Sequence, residues 1–181
     1  MRPFPQTQFI SHFGGPGQRK GVLRNLLAKS IEKVPVGGEI FWVTYYFCDH
    51  TLAAALVRAH RRGVTVRVVM EGQPRTGRAN APVIQQLGGI AGIGSGLRVL
   101  THGIPENILW QRSRLHEKLY YFSHPEPHVF IGSFNPSGTD DRTLLAKIGD
   151  QDYGYNMLVE IRDTTLVTGL LAHAYQIFYR Y

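Results

Sequence analysis

His116 and Lys118 stand two residues apart in RLHEKLYYFSHPEPHVFIGSFNPSG, residues 114–138, and Ser133 and Asn135 stand two apart further along. Residues at that spacing in a β-strand leave the same face. A hairpin turning through SHPEP sets the two strand ends side by side, so an imidazole, an ammonium, a hydroxyl and a carboxamide converge. That set suits phosphoryl chemistry. A neutral imidazole is a nucleophile at physiological pH and can carry a covalent phosphoryl group. Lys118 supplies fixed positive charge for the phosphoryl oxygens and Asn135 a hydrogen-bond donor. Preorganised donors of this kind contribute roughly 3 to 4 kcal/mol each where charge develops. A buried lysine lacking an anionic partner is costly, which favours a site over a core position for Lys118. Arg112 and Arg114, just upstream, are placed to attract an anionic substrate at the rim, and Trp110 to line a headgroup or base pocket. His124 and His128 flank Pro-Glu-Pro. No second carboxylate lies near them at ligand spacing, so they are expected as solvated loop residues, with no metal site and no cofactor.

The elements that must position these groups follow from periodicity. Gln18 to Lys33 carries apolar residues at Val22, Leu23, Leu26, Leu27 and Ile31, the stripe of an amphipathic helix. EIFWVTYYF, residues 39–47, reads as a central strand, apolar on both faces. Asp49 is placed to cap a helix running to Arg62, and Gly63 to stop it. VTVRVVM, residues 64–70, is the next strand, so this unit is βαβ and its strands are parallel. Arg58, Arg61 and Arg62 are expected at a solvated helix terminus. A short helix is predicted over Ala81 to Leu87. GGIAGIGSG, residues 88–96, has neither the G-x-G-x-x-G spacing nor a Walker lysine and is expected to be a flexible connector. Strands are predicted over residues 97–101, 115–122, 128–133 and 155–162, a loop over roughly 135–154, and a final helix from the Asp163 cap to about Tyr179. No internal boundary or duplication interrupts the chain, which is read as one domain over residues 1–181.

Composition bounds the partners. The chain has 181 residues, is 43% hydrophobic and carries a formal charge of +7. Such a balance favours anionic partners, whether nucleic acid, acidic lipid headgroups or phosphorylated small molecules. The single cysteine, Cys48, excludes an internal disulfide; packing is its expected role. No apolar run approaches the ~20 residues that span a bilayer. The expectation is a cytoplasmic protein able to touch a membrane peripherally.

H-E-K at 116–118 followed by G-S-F-N at 132–135 resembles the HxK…GSxN signature of the phospholipase D superfamily. FWVTYYFCDHTLAAALVRAHRRGVTVRVVMEG, residues 41–72, looks like that family's strand, helix, R-G-V, strand segment. The resemblance implies an α/β fold, a mixed β-sheet sandwiched between helices, as a single phospholipase D-like lobe. It implies a two-step, metal-independent reaction in which one HxK histidine attacks phosphorus and a second, from another copy of the motif, protonates the leaving group and then activates water or an alcohol. Three departures stand out. Ser123 occupies the place of an aspartate five residues after the lysine. Tyr155 replaces the acid that precedes an asparagine in the last strand and orients the histidine, leaving Asp152 or Glu160 as substitutes. Only one HxK is present, so a complete site needs a second lobe, from a homodimer partner or from a C-terminal half, the latter slightly favoured. The function implied is phosphodiester cleavage or transfer through a phosphohistidine on His116, with a phospholipid as the favoured substrate. A homodimeric nuclease and a non-catalytic anion-binding lobe are the alternatives.

Overall fold

In the computed structural model, residues 9–101, 114–149 and 153–181 are described. They form seven strands in one sheet, ordered β1-β7-β6-β5-β2-β3-β4. β2 (Glu39–Thr44), β3 (Thr65–Glu71) and β4 (Leu97–Leu100) run parallel. β5 (Lys118–Phe122), β6 (His128–Gly132), β7 (Asn156–Ile161) and β1 (Phe9–Gly14) are joined antiparallel, and β5 borders β2 antiparallel. The sheet is therefore mixed, as the sequence implied.

Strand alternation decides the two cores. Ile40, Trp42, Val66, Val68, Tyr120, Phe122 and Phe130 face α1 (Val22–Lys33), α2 (His50–Arg61) and α3 (Ala81–Gly88). Phe41, Val43, Val69, Leu119, Tyr121 and Val129 face α5 (Thr164–Arg180), which buries Val167, Ala174 and Phe178 against them. Helices thus cover both faces, three on one and α5 on the other. The predicted caps form. Asp49 accepts hydrogen bonds from the N–H groups of Thr51 and Leu52, and Asp163 from that of Leu166.

Five differences from the sequence reading have local causes. The loop expected over 135–154 contains α4 (Arg142–Ile148), because Asp141 caps the N–H groups of Thr143 and Leu144. β1 carries little sequence signal because it is an edge strand whose side chains are mostly exposed. The glycine-rich run includes a turn of 3₁₀ helix at Gly94–Gly96 and packs closely on its neighbours. A Cβ on Gly92 would lie 2.0 Å from the Leu87 carbonyl oxygen, and one on Gly96 2.2 Å from that of Val66. His128 is a buried strand residue stacked on Phe122, not a solvated loop histidine; its Nδ1 bonds the Glu126 carbonyl oxygen. Arg62 also departs from a purely solvated role, donating to the carbonyl oxygens of Ile31, in the last turn of α1, and of Val34, its C-cap.

Candidate active site

The parallel strands β2 and β3 end on the same edge of the sheet where β5 begins and β6 ends. Ligand sites in such sheets form outside the carboxyl ends of the parallel strands. A cleft of about 900 Å³ lies here, lined by Tyr45, Tyr46, Arg75, Thr76, Gly77, His116, Lys147 and Ile148.

His116 lies in the extended segment just before β5, and Lys118 is the first residue of that strand. Lys118 Nζ sits 3.4 Å from both His116 Nδ1 and Nε2 and donates to the His116 carbonyl oxygen at 2.8 Å. The Tyr45 ring packs on the imidazole with centroids 4.7 Å apart, and the same ring lies 5.4 Å from the Lys118 ammonium. Lys118 is only 9% exposed, whereas His116 is open to the cleft. Partial withdrawal from water, and then the Lys118 charge, hold the His116 imidazole below its ordinary value of 6.5. Burial lowers the Lys118 ammonium below 10.5. A neutral imidazole beside a lysine is the combination that phosphoryl transfer to nitrogen needs.

Asn135 is buried, and its Oδ1 accepts the Tyr46 N–H at 3.2 Å. That bond fixes the amide so that its nitrogen is left as a donor. The segment carrying it is held by the N–H groups of Cys48 and Asp49, both donating to the Pro136 carbonyl oxygen at 2.9 and 3.1 Å. Asp49 is in turn paired with Arg24. Cys48, with its thiol pushed up to about 12 by burial, is a packing residue.

Ser133 is engaged elsewhere. Its hydroxyl donates to Asn156 Oδ1 at 3.1 Å and accepts the Met157 N–H at 3.1 Å, tying the end of β6 to β7. Arg114 lines a separate hollow with Leu100, Leu115, His173, Gln176 and Arg180. Trp110 and Arg112 lie outside the described residues, as does Asp152. Sequence reasoning missed Tyr45, Tyr46, Arg75 and Lys147. Tyr45 and Tyr46 follow directly after β2, so their position past a parallel strand end was the available signal; Lys147 was hidden with α4. Among the described residues no group of three or more His, Cys, Asp or Glu side chains is placed to hold a metal ion.

The family described as "Cardiolipin synthase, PLD-like domain" matches residues 37–173. The chain belongs to the phospholipase D superfamily. Solved structures share the fold of this phospholipase D-like lobe. Nuc from Salmonella typhimurium, a phospholipase D family member, aligns with a TM-score of 0.63 at 21% identity, over 93% of this chain and 93% of its own. NucT from Helicobacter pylori aligns at 0.63 and 16% identity, over 93% of this chain and 94% of its own. TrmBL2, an archaeal chromatin protein with a novel mode of DNA binding, aligns at 0.57 and 14% identity, over 99% of this chain and 56% of its own. No match was found among curated proteins.

Two departures of this phospholipase D-like sequence have structural accounts. Ser123 Oγ accepts the Glu39 N–H at 2.8 Å and is 2.9 Å from His124 Nδ1, so it ties the far end of β5 to β2. Glu160 is not directed to His116. Its carboxylate is bonded by His12 at 2.9 Å and by Arg162 at 2.7 Å, toward the opposite end of β7 from Asn156.

Proposed function

We propose that this lobe cleaves or transfers phosphodiesters through a phosphohistidine on His116. The carrying observation is the Lys118 ammonium 3.4 Å from both ring nitrogens of a histidine that faces an open cleft. A His116 ring nitrogen attacks phosphorus, forming the P–N bond as the P–O bond to the leaving alcohol breaks. A second HxK histidine gives that oxygen its proton. It then takes a proton from water or another alcohol, whose oxygen attacks phosphorus and breaks the P–N bond. Lys118 and the Asn135 amide hold the charge that builds on the phosphoryl oxygens. The second HxK comes from another lobe. A homodimer partner is one source, since a two-fold axis can set two copies of one site face to face. A C-terminal half would supply the same group.

A phospholipid is the first substrate reading, supported by the cardiolipin synthase description of the matching family. A nucleic acid is the second, supported by the exposed Arg75 and Lys147 on the cleft wall, neither paired with an acid among the described residues. Hydrolysis of bis(p-nitrophenyl) phosphate by the wild type and by His116→Ala tests the chemistry. Equal rates would reject it and leave an anion-binding lobe. Phosphatidylglycerol vesicles beside single-stranded DNA then separate the substrates, with steep loss of DNA binding in salt marking the nucleic acid.

A further inference from the structure

We infer that Glu71, supported by Asn80, is the positioning residue for His116, supplying from beneath the cleft the orientation that the missing acid before Asn156 would otherwise give. This rests on the phosphohistidine reading of the site.

Glu71 ends β3 and is fully buried. One carboxylate oxygen accepts the Leu115 N–H at 3.0 Å and the other the Gln73 N–H at 2.8 Å. Leu115 is the residue immediately before His116, and this stretch precedes the β5 ladder, which starts at Lys118. The nucleophile's backbone is therefore held by a side-chain carboxylate where strand pairing does not reach. Asn80, also fully buried, extends the grip to Tyr45 and Phe47. Its Nδ2 donates to the carbonyl oxygens of Tyr45 at 2.6 Å and Glu71 at 2.7 Å, and its Oδ1 accepts the Phe47 N–H at 2.9 Å. Tyr45 is the residue whose ring lies against His116, and its hydroxyl accepts the Arg75 N–H at 2.6 Å. Two buried polar side chains thus fix the backbone behind His116 and the ring beside it. They also shape the turn that carries Arg75.

The functional weight follows from geometry. A reacting atom misplaced by about 1 Å costs on the order of 10²-fold in rate. A buried carboxylate that accepts two backbone N–H groups cannot be replaced by an amide without setting an NH₂ against one of those donors. Glu71→Gln keeps size and burial but forces that conflict. Glu71→Asp keeps both oxygens on a shorter stem.

The experiment compares wild type, Glu71→Gln, Glu71→Asp and the surface control Glu32→Gln. It reads thermal midpoint, steady-state constants on bis(p-nitrophenyl) phosphate, and the His116 ring resonances through a pH titration. The expected result is a folded Glu71→Gln with kcat down at least about 10-fold, KM within twofold and shifted His116 resonances. Glu71→Asp recovers part of kcat, and Glu32→Gln matches wild type in all readouts. If Glu71→Gln does not fold, the same kcat loss and resonance shift in folded Glu71→Asp support the assignment. Wild-type kcat with unmoved His116 resonances in a folded variant overturns it. If wild type and His116→Ala are equally inactive, the phosphohistidine reading has failed. The resonances alone then decide: shifted signals uphold the positioning and unshifted ones overturn it.

Discussion

Glu71 and Glu160 are both buried carboxylates on the same sheet, yet they hold different parts of the molecule in place. Glu71, on the parallel half, counts two backbone N–H groups among its partners, one of them beside His116. Glu160, on the antiparallel half, is bonded by side chains, His12 from β1 and Arg162, which also reaches Glu126. A carboxylate that grips the main chain sets where a neighbouring residue stands. A carboxylate bonded by His12 and Arg162 ties the edge strand β1 to β7. Glu160 is therefore turned away from the histidine, and Glu71, one strand over from β2, is better placed.

The largest losses should come from removing the reacting groups themselves. His116→Ala should lower phosphodiester hydrolysis by at least about 10³-fold, and Lys118→Ala by on the order of 10²- to 10³-fold, in single-turnover assays. Glu160→Gln should leave kcat within twofold, against the loss expected for Glu71→Gln; equal losses in the two variants would erase the distinction drawn between them.

Glu160→Gln should instead cost stability, about 1 to 3 kcal/mol in denaturant titrations at neutral pH. Burial alone would raise the Glu160 carboxyl, but the hydrogen bonds from His12 and Arg162 outweigh it and hold the group below its ordinary 4.5. Its contribution is therefore full above 4.5 and is lost as pH falls through the lower folded value. The gap between wild type and Glu160→Gln should close on acidification.

A smaller effect concerns pH and rate. Because the His116 imidazole is held below 6.5, the neutral nucleophile persists into mildly acidic solution. The acid limb attributable to His116 in single-turnover rates should lie below 6.5. The smallest change is expected at the cleft wall. Arg75→Ala or Lys147→Ala should raise KM about 3- to 10-fold with kcat nearly unchanged, and more at low salt than at high.

Much of this was legible in the sequence because two periodicities dominate it. The β2–α2–β3 unit has caps, stops and apolar alternation that agree, so its parallel pairing could be read directly. The His116 and Lys118 spacing placed both groups together even though His116 stands just outside the strand. What escaped notice depended on long-range contacts. β1 is an exposed edge strand whose partner is β7, far away in sequence. Ser133 and Asn135 are two apart, but Ser133 is turned to bond β7 while Asn135 is drawn to Tyr46. Glu71 reads as an ordinary strand end until the Leu115 N–H is seen on its carboxylate.

The most direct test is to trap the covalent step. Wild-type protein turning over bis(p-nitrophenyl) phosphate is quenched in alkali, where a phosphohistidine survives, and its peptides are weighed. The account predicts an adduct carrying one retained ester on the peptide containing His116, absent from His116→Ala. Product release without any adduct on His116, or an adduct on a different residue, would contradict it.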